Sequence, residues 1–342
     1  MHGAGGGCRV DCPGAPVTAL RGSEGSGVID FAQVLDRAFG AGRVIRDAPL
    51  GPLTTFKVGG PADLLLETVS GDELVQAITL AHSAGVRVTM LGGGSNVLIA
   101  DAGIRGLVIR PRRGTLTPVG ERLVRADAAV TINQLVRWTI NRGLAGLGAW
   151  AGTPGTVGGA IYGNAHWKKV NIGDLVESVR LVKPDGTLLQ APADRMEFDY
   201  DYSRLKHTRE VVVWAALRVA SGADPAALRA VARESLAFRK RTQPLESPSA
   251  GCIFMNPDPI RDRVPDGIPP SAGALVDRAG LKGAALGGAR VSPTHANFIV
   301  NDGSARATDI HALVERCRAA VKDQFGVSLR DEIISLGDFA KP

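Results

Sequence analysis

Residues Leu91 to Asp101 read LGGGSNVLIAD, and the five residues after Asn96 decide the fold. Three consecutive glycines permit backbone conformations closed to other residues, so successive N–H groups can converge on an anion. Ser95 and Asn96 add side-chain donors. A Walker-type loop would continue Gly-Lys-Ser/Thr, and a dinucleotide fingerprint would open a helix. VLIAD reads instead as a strand. Two readings remain: a diphosphate held by backbone donors outside those folds, or a glycine-rich turn between strands.

A second stretch, AGTPGTVGGAIYGNA (Ala151 to Ala165), carries five glycines and two threonines in fifteen residues. It too suits close backbone approach to a large, flat, polar ligand. Two such loops about 60 residues apart point together to a dinucleotide spanning both.

Around them the pattern is mixed helix and strand. DELVQAITLAHSAG sets Leu74, Ala77, Ile78 and Ala81 on one helical face, with Gly85 as the stop. VRVTML, VLIA, GLVIR and RLVRADA read as strands, and Thr131 caps a helix ended by Gly143. VESVRLVKPDGTLLQAP reads as a hairpin about Pro184-Asp185-Gly186, and REVVVWAALRVA as an apolar strand. A helix with Pro225 in its first turn then links into a second domain of short strands (GCIFM, NFIVN) and two helices. The last helix buries Ile310, Leu313, Val314, Cys317 and Val321.

The 342 residues, 44% apolar and 22% charged, suffice for two or three domains with a real core. No run of about 18 apolar residues or signal-peptide stretch occurs, so no membrane association is expected and the chain reads as cytoplasmic. Cysteines at 8, 12, 252 and 317 form neither a disulfide framework nor a zinc spacing, so no metal is expected. A net charge of +6 without a long basic run gives nucleic acid only weak support, and an anionic small molecule fits the charge equally well. Residues 1–27, rich in Gly, Ala, Pro and Ser, read as a flexible tail.

In order, PLTTFKVGGPADLLLE, LGGGSNVLIADAGIRGLVI, AGTPGTVGGAIYGNA, QPLESPSAGCIFMNP, SAGALVDRAGLKG and GGARVSPTHANFIVN resemble the UDP-N-acetylenolpyruvoylglucosamine reductase family, in its shorter subtype without an extra tyrosine-bearing loop. The resemblance spans about residues 48–337. It implies an α+β chain: a two-lobed FAD-binding domain of the vanillyl-alcohol-oxidase (PCMH) type over 28–222, with lobes about 28–88 and 89–222, then a smaller α+β substrate-binding domain over 223–342. It also implies FAD, NADPH as hydride donor, and an enolpyruvyl UDP-sugar substrate of peptidoglycan precursor synthesis, with no obligatory protein partner.

Carried over residue by residue, the resemblance makes Gly92, Gly93, Gly94, Ser95, Asn96, Gly152, Thr153, Thr156, Gly158, Gly159 and Asn164 cofactor-binding. Tyr200, Ser203, Asn256 and His295 become substrate-binding, with a satisfied structural histidine as the other reading of His295. Cys252 takes the proton-donor position, commonly serine, and Glu332 the enolate-stabilising carboxylate. An unperturbed thiol, with a pKa of ~8.5, is a far stronger acid than an aliphatic hydroxyl.

One departure is serious. The family pattern resembles Tyr-Arg-x-Ser, whereas this chain reads Tyr200-Asp201-Tyr202-Ser203. Arg204 is a candidate substitute for the missing cation, as are Lys168 and Lys169 of NAHWKKVNIG. The change leaves open a paralogue acting on another sugar nucleotide, an oxidase, or a catalytically weak nucleotide-sugar-binding protein.

Overall fold

The structure, a computed structural model, describes residues 30–167 and 170–339. The expected tail and the candidates Lys168 and Lys169 lie outside the described residues. The chain opens with helix α1 (Phe31–Phe39) and the antiparallel pair β1 (Val44–Pro49) and β2 (Pro61–Thr68). Helix α2 (Gly71–Ser83) starts where the Ser70 hydroxyl accepts the Glu73 N–H at 3.1 Å. Strand β3 (Val88–Met90) runs into the glycine loop and β4 (Val97–Ile99) leaves it. Strand β5 (Ile104–Pro111) lies parallel to both β2 and β3 and completes a sheet ordered β1-β2-β5-β3.

Alternation along the strands covers both faces of this sheet. Leu66, Leu107 and Ile109 meet Leu74, Ala77 and Ile78 of α2 on one side. Leu65 and Val108 meet Leu91, Ile99 and Ile104 on the other.

The second sheet begins with β6 (Leu116–Val119) and β7 (Leu123–Asp127). Helices α3 (Ile132–Ile140) and α4 (Val157–Gly163) come next, α3 opening on a reciprocal cap between Thr131 and Gln134. A hairpin of β8 (His166–Trp167) and β9 (Val170–Asn171) precedes β10 (Val176–Val182) and β11 (Leu188–Pro192). The turn helix α5 (Leu205–Thr208) then leads to β12 (Val211–Arg218). The strands order β11-β10-β12-β7-β6, all antiparallel, around a core that includes Trp150, Ile161, Val179 and Leu217. The first sheet extends to Pro111, so the lobes change at about residues 112–115 rather than 88. The chain beyond the first glycine loop returns to its own sheet through β5, because Leu107, Val108 and Ile109 are apolar on both faces.

Helix α6 (Pro225–Thr242) also departs from expectation. Asp224 caps it, but Leu228 packs into the second lobe's core, and the Ser235 hydroxyl donates to the Ala149 carbonyl at 2.7 Å. It therefore belongs with the second lobe, not with the substrate domain expected from residue 223.

The last domain contains α7 (Ala272–Arg278), a small sheet of β13 (Ala285–Leu286), β14 (Ala289–Val291) and β15 (Ile299–Asn301), helix α8 (Ala307–Phe325) and β16 (Ile334–Leu336). Its core buries Ile310, Leu313, Val314, Cys317 and Val321 as the helical spacing requires. GCIFM forms no strand: a single bridge joins Phe254 to Asp331, and Gly251 turns the chain with φ 82°.

Three ties fasten this domain to the first lobe. Strand β16 pairs parallel with β4. Asp101 caps α8 from the other domain, accepting the Ala307 and Thr308 N–H groups at 2.9 and 3.0 Å. The Asn301 amide, 3% exposed, donates to the Phe56 carbonyl at 2.8 Å and accepts the Gly303 and Ala305 N–H groups. Replacing Asn301 with alanine strands these buried groups and is expected to lower stability by about 2–3 kcal/mol. A urea midpoint unchanged in Asn301→Ala would show that the tie contributes nothing.

Candidate functional site

The two glycine loops meet. A Cβ on Gly93 would lie 2.7 Å from the Gly155 Cα, so only glycine permits this approach. Among the described residues, the backbone N–H groups from Gly92 to Ser95 donate to no acceptor in the protein. Such a run of free donors in a close-packed turn is what an anionic diphosphate needs.

Asn96 is partly committed elsewhere, since its side-chain amide donates to the Glu332 carbonyl at 3.0 Å. The Gly152 N–H donates to Asn133 at 2.8 Å, and Thr156 caps α4 by accepting the Gly159 N–H at 3.3 Å, with Gly158 in the same first turn.

Thr153 accepts a 2.6 Å hydrogen bond from Arg239, a residue the sequence reading missed. Arg239 is 6% exposed, its guanidinium carbon lies 3.5 Å from the Trp167 ring centroid, and its Nε has no partner among the described residues. Burial lowers its pKa to about 10, so it stays charged at neutral pH without a carboxylate partner. A buried cation beside a glycine loop, together with the free N–H run, fits a flavin dinucleotide. Its position on helix α6 gave no pattern that could have distinguished it from the solvated basic run FRKR.

Asn164 is corrected to a structural role. It stands at the end of α4 with φ 45°, donates to the Asp199 carbonyl at 2.7 Å and accepts the Gly173 N–H at 2.9 Å. Its amide thus holds the turn from Asp199 to Tyr202 rather than reaching a cofactor. Ser203 is likewise fully buried, its hydroxyl donating to the Tyr162 carbonyl at 2.7 Å. Arg204 pairs with Glu210 at 2.9 Å, so its charge is already balanced and it does not replace the missing arginine.

What assembles instead is a cluster around Cys252. The Glu332 N–H donates to the Ile253 carbonyl at 2.8 Å, placing residues about 80 positions apart side by side. Asn297, also missed, clamps the same turn. It donates to the Phe254 carbonyl at 2.8 Å, accepts the Phe254 N–H at 3.0 Å, and its side chain bonds the Cys252 thiol. Asn256 approaches Tyr200, its backbone and side-chain N–H groups 3.4 and 3.3 Å from the phenolic oxygen, and accepts the Ala272 N–H at 3.1 Å. His295 accepts the Asn297 N–H at 3.2 Å and packs edge-on to Phe298, the structural alternative. Asp201 sits at φ 49°, 7% exposed, with Oδ1 3.2 Å from His166 Nδ1.

Electrostatics tie the cluster together. Burial, then Asp201, raise Glu332 from 4.5 to about 8, while His166 and Lys206 pull the other way. A carboxyl group so placed is largely protonated at neutral pH and can donate a hydrogen bond. Burial, Glu332 and Asp201 also push the Cys252 thiol well up. The environment therefore removes the thiol's expected acidity and keeps it protonated. Burial raises Tyr200 to about 12 and lowers Lys206.

Known proteins share the fold over most of the chain. The family model for an FAD binding domain matches residues 62–191, and that for the C-terminal domain of UDP-N-acetylenolpyruvoylglucosamine reductase matches 243–336. A reductase of that name from Synechococcus sp. (strain RCC307) is 38% identical over 86% of this chain and 94% of its own. One from Anaeromyxobacter sp. (strain Fw109-5) is 39% identical over 94% of this chain and 96% of its own. The crystal structure of the Thermus caldophilus reductase covers 86% of this chain and 98% of its own, with a TM-score of 0.70 and 31% identity. The α+β architecture and FAD as cofactor stand on these matches and on the fold.

The site generates two expected outcomes. Gly93→Val forces the loops apart and should sharply lower the flavin content of purified protein; full occupancy would dissociate the loop from the cofactor. Glu332 binds its proton more tightly folded than unfolded, so its contribution is complete below about pH 4.5 and is lost as pH rises through about 8. Thermal melts from pH 5 to 9 should therefore fall less steeply for Glu332→Gln than for wild type, and identical slopes would place the carboxyl in solvent.

Proposed function

The chain belongs to the UDP-N-acetylenolpyruvoylglucosamine reductase family, and from that premise we propose that it reduces the enolpyruvyl ether of UDP-N-acetylglucosamine to UDP-N-acetylmuramate. The reductant is NADPH, acting through FAD, and the product feeds peptidoglycan synthesis. Bound FAD supplies the relay of a hydride from NADPH to the terminal methylene carbon of the enol ether.

The neighbouring carbon, which bears the carboxylate, then needs a proton. Cys252 donates it: the S–H bond breaks, a C–H bond forms, and the thiolate regains a proton from solvent. The observation that carries this reading is the union of Cys252 and Glu332 through the 2.8 Å bond between the Glu332 N–H and the Ile253 carbonyl. A thiol held protonated retains its proton until a strongly basic carbon develops beside it. Protonated Glu332 donates a hydrogen bond to the growing enolate, the kind of preorganised donor that contributes most to such barriers.

Gly92–Ser95 and Arg239 hold the diphosphate of the cofactor, while Tyr200 and Asn256 line the approach of the UDP-sugar. No described helix is long and apolar enough to cross a membrane.

Rapid mixing of the two half-reactions tests the assignment. Cys252→Ser should retain much of the activity, since a hydroxyl of similar size stands in the same turn. Cys252→Ala should accept electrons from NADPH normally but reoxidise with substrate ~10²–10⁴-fold more slowly, the usual loss of a general acid. Wild-type reoxidation in Cys252→Ala would assign the proton to another group. Wild-type protein should also resist alkylation at neutral pH, because the protonated thiol is a poor nucleophile.

A further inference from the structure

The reaction proposed above leaves one requirement that Cys252 and Glu332 do not meet. The substrate brings a carboxylate, and negative charge grows beside it, in a recess that already contains Asp201. Two like charges brought together in a poorly solvated site repel strongly, so a cation is needed there. Arg204 is neutralised by Glu210. Arg239 stacks on Trp167 at the glycine loop.

His166 remains. It opens the β8–β9 hairpin, and its ring lies against Tyr200 with centroids 5.1 Å apart and planes inclined at 44°. Its Nδ1 meets Asp201 Oδ1 at 3.2 Å, while its Nε2 has no hydrogen-bond partner among the described residues. Asp201 is held for this contact by a turn of left-handed backbone, bridged between Asp199 and Tyr202 and anchored by Asn164. Its Oδ2 is buried and bonded to nothing. Tyr200 in turn touches Asn256, four residues beyond Cys252, so the pair sits across one side chain from the thiol's own loop.

We propose that Asp201 and His166 act as a unit, with Asp201 the positioning residue and His166 the cationic donor that meets the substrate's carboxylate and the charge developing next to it. The proposal rests on the reductase reading above.

It also reconciles Asp201 with its own charge: an acid facing an anionic substrate is tolerable when a protonated imidazole stands between them. Hydrogen bonding to Asp201 raises the His166 pKa, against burial, and the charges of Asp201 and Glu332 add to the rise. The charged and titratable groups around His166 among the described residues are Asp201, Tyr200, Glu332, Lys206 and, across Tyr200, Cys252. A histidine whose folded pKa is raised is charged below that value, so its catalytic contribution is present below it and lost as pH rises through it.

The test uses the flavin-loaded protein and the enolpyruvyl UDP-sugar, with the two half-reactions followed separately from pH 6 to 9. In His166→Gln, reduction by NADPH should stay within about twofold of wild type while reoxidation by substrate slows ~10²-fold, the scale of removing one charge-stabilising donor. His166→Arg, which keeps the cation at every pH, should recover most of that loss and should outpace wild type at the alkaline end. Asp201→Asn should move the alkaline fall in reoxidation to lower pH, because the imidazole loses the partner that keeps it charged.

Normal reoxidation in flavin-replete His166→Gln overturns the proposal, as does an equal loss in His166→Arg and His166→Gln. A wild-type protein that takes electrons from NADPH but never passes them to the enolpyruvyl sugar overturns the reductase reading itself, and the proposal with it. The two failures are therefore distinct.

Discussion

The parallel pairing of Ile334–Leu336 with Val97–Ile99 is the constraint on which the rest of the structure depends. It brings the end of the chain back to the strand that leaves the first glycine loop. The Ile334 N–H donates to the Asn96 carbonyl at 3.0 Å, and the Asn96 side chain donates to the Glu332 carbonyl at the same distance. One short ladder therefore fixes Glu332 relative to the first glycine loop. Because Glu332 also bonds the Ile253 carbonyl, the thiol loop is fixed by the same segment. Three parts of the proposed site, drawn from distant stretches of chain, are set mainly by backbone hydrogen bonds rather than by long side chains. Backbone ladders have little rotational freedom, so they position reacting groups more sharply than flexible side-chain contacts do.

The electrostatics of the centre arise from that geometry. Glu332, Asp201 and Cys252 are brought close in a recess with limited water, where burial and the neighbouring carboxyl groups raise the cost of charging Glu332 and Cys252. The outcome is a carboxyl and a thiol that both hold protons at neutral pH, which is the state that proton donation and hydrogen-bond donation require. His166 and Lys206 oppose this trend on Glu332 and leave the group poised near the working range. A recess that selects for protonated acids also penalises isolated anions, which explains why the buried Asp201 is paired with an imidazole.

Much of the architecture was legible because local patterns agreed with tertiary burial. The α2 face at Leu74, Ala77, Ile78 and Ala81 is buried as its spacing requires, and the α8 face behaves in the same way. Thr131 and Asp224 cap the helices they precede. Patterns lasting only a few residues were less informative. GCIFM has strand-like composition, yet Asn297 satisfies the backbone of Phe254 from both sides and leaves no place for a ladder. Helix α6 interleaves arginines with small and apolar residues along its length, so nothing in it showed that Leu228 and Ser235 face the second lobe.

The sequence by itself determined helices α2, α3, α6 and α8, about half of the strands, the two glycine loops, and the positions of Cys252 and Glu332 in recognisable order. These depend on residue type and short spacing, which survive without knowledge of the partner surface. Only the tertiary structure decided which polar side chains are free to act. Ser203, Arg204 and Asn164 carry suitable chemistry, but each already has its partner in the folded chain: Tyr162, Glu210, and the Asp199 and Gly173 backbone. His166 and Asp201 stand 35 positions apart and meet only when the β8–β9 hairpin closes over the Asp199–Tyr202 turn. A hydrogen bond consumes a donor or an acceptor without leaving any mark in the linear pattern, so the availability of a group is a property of the fold.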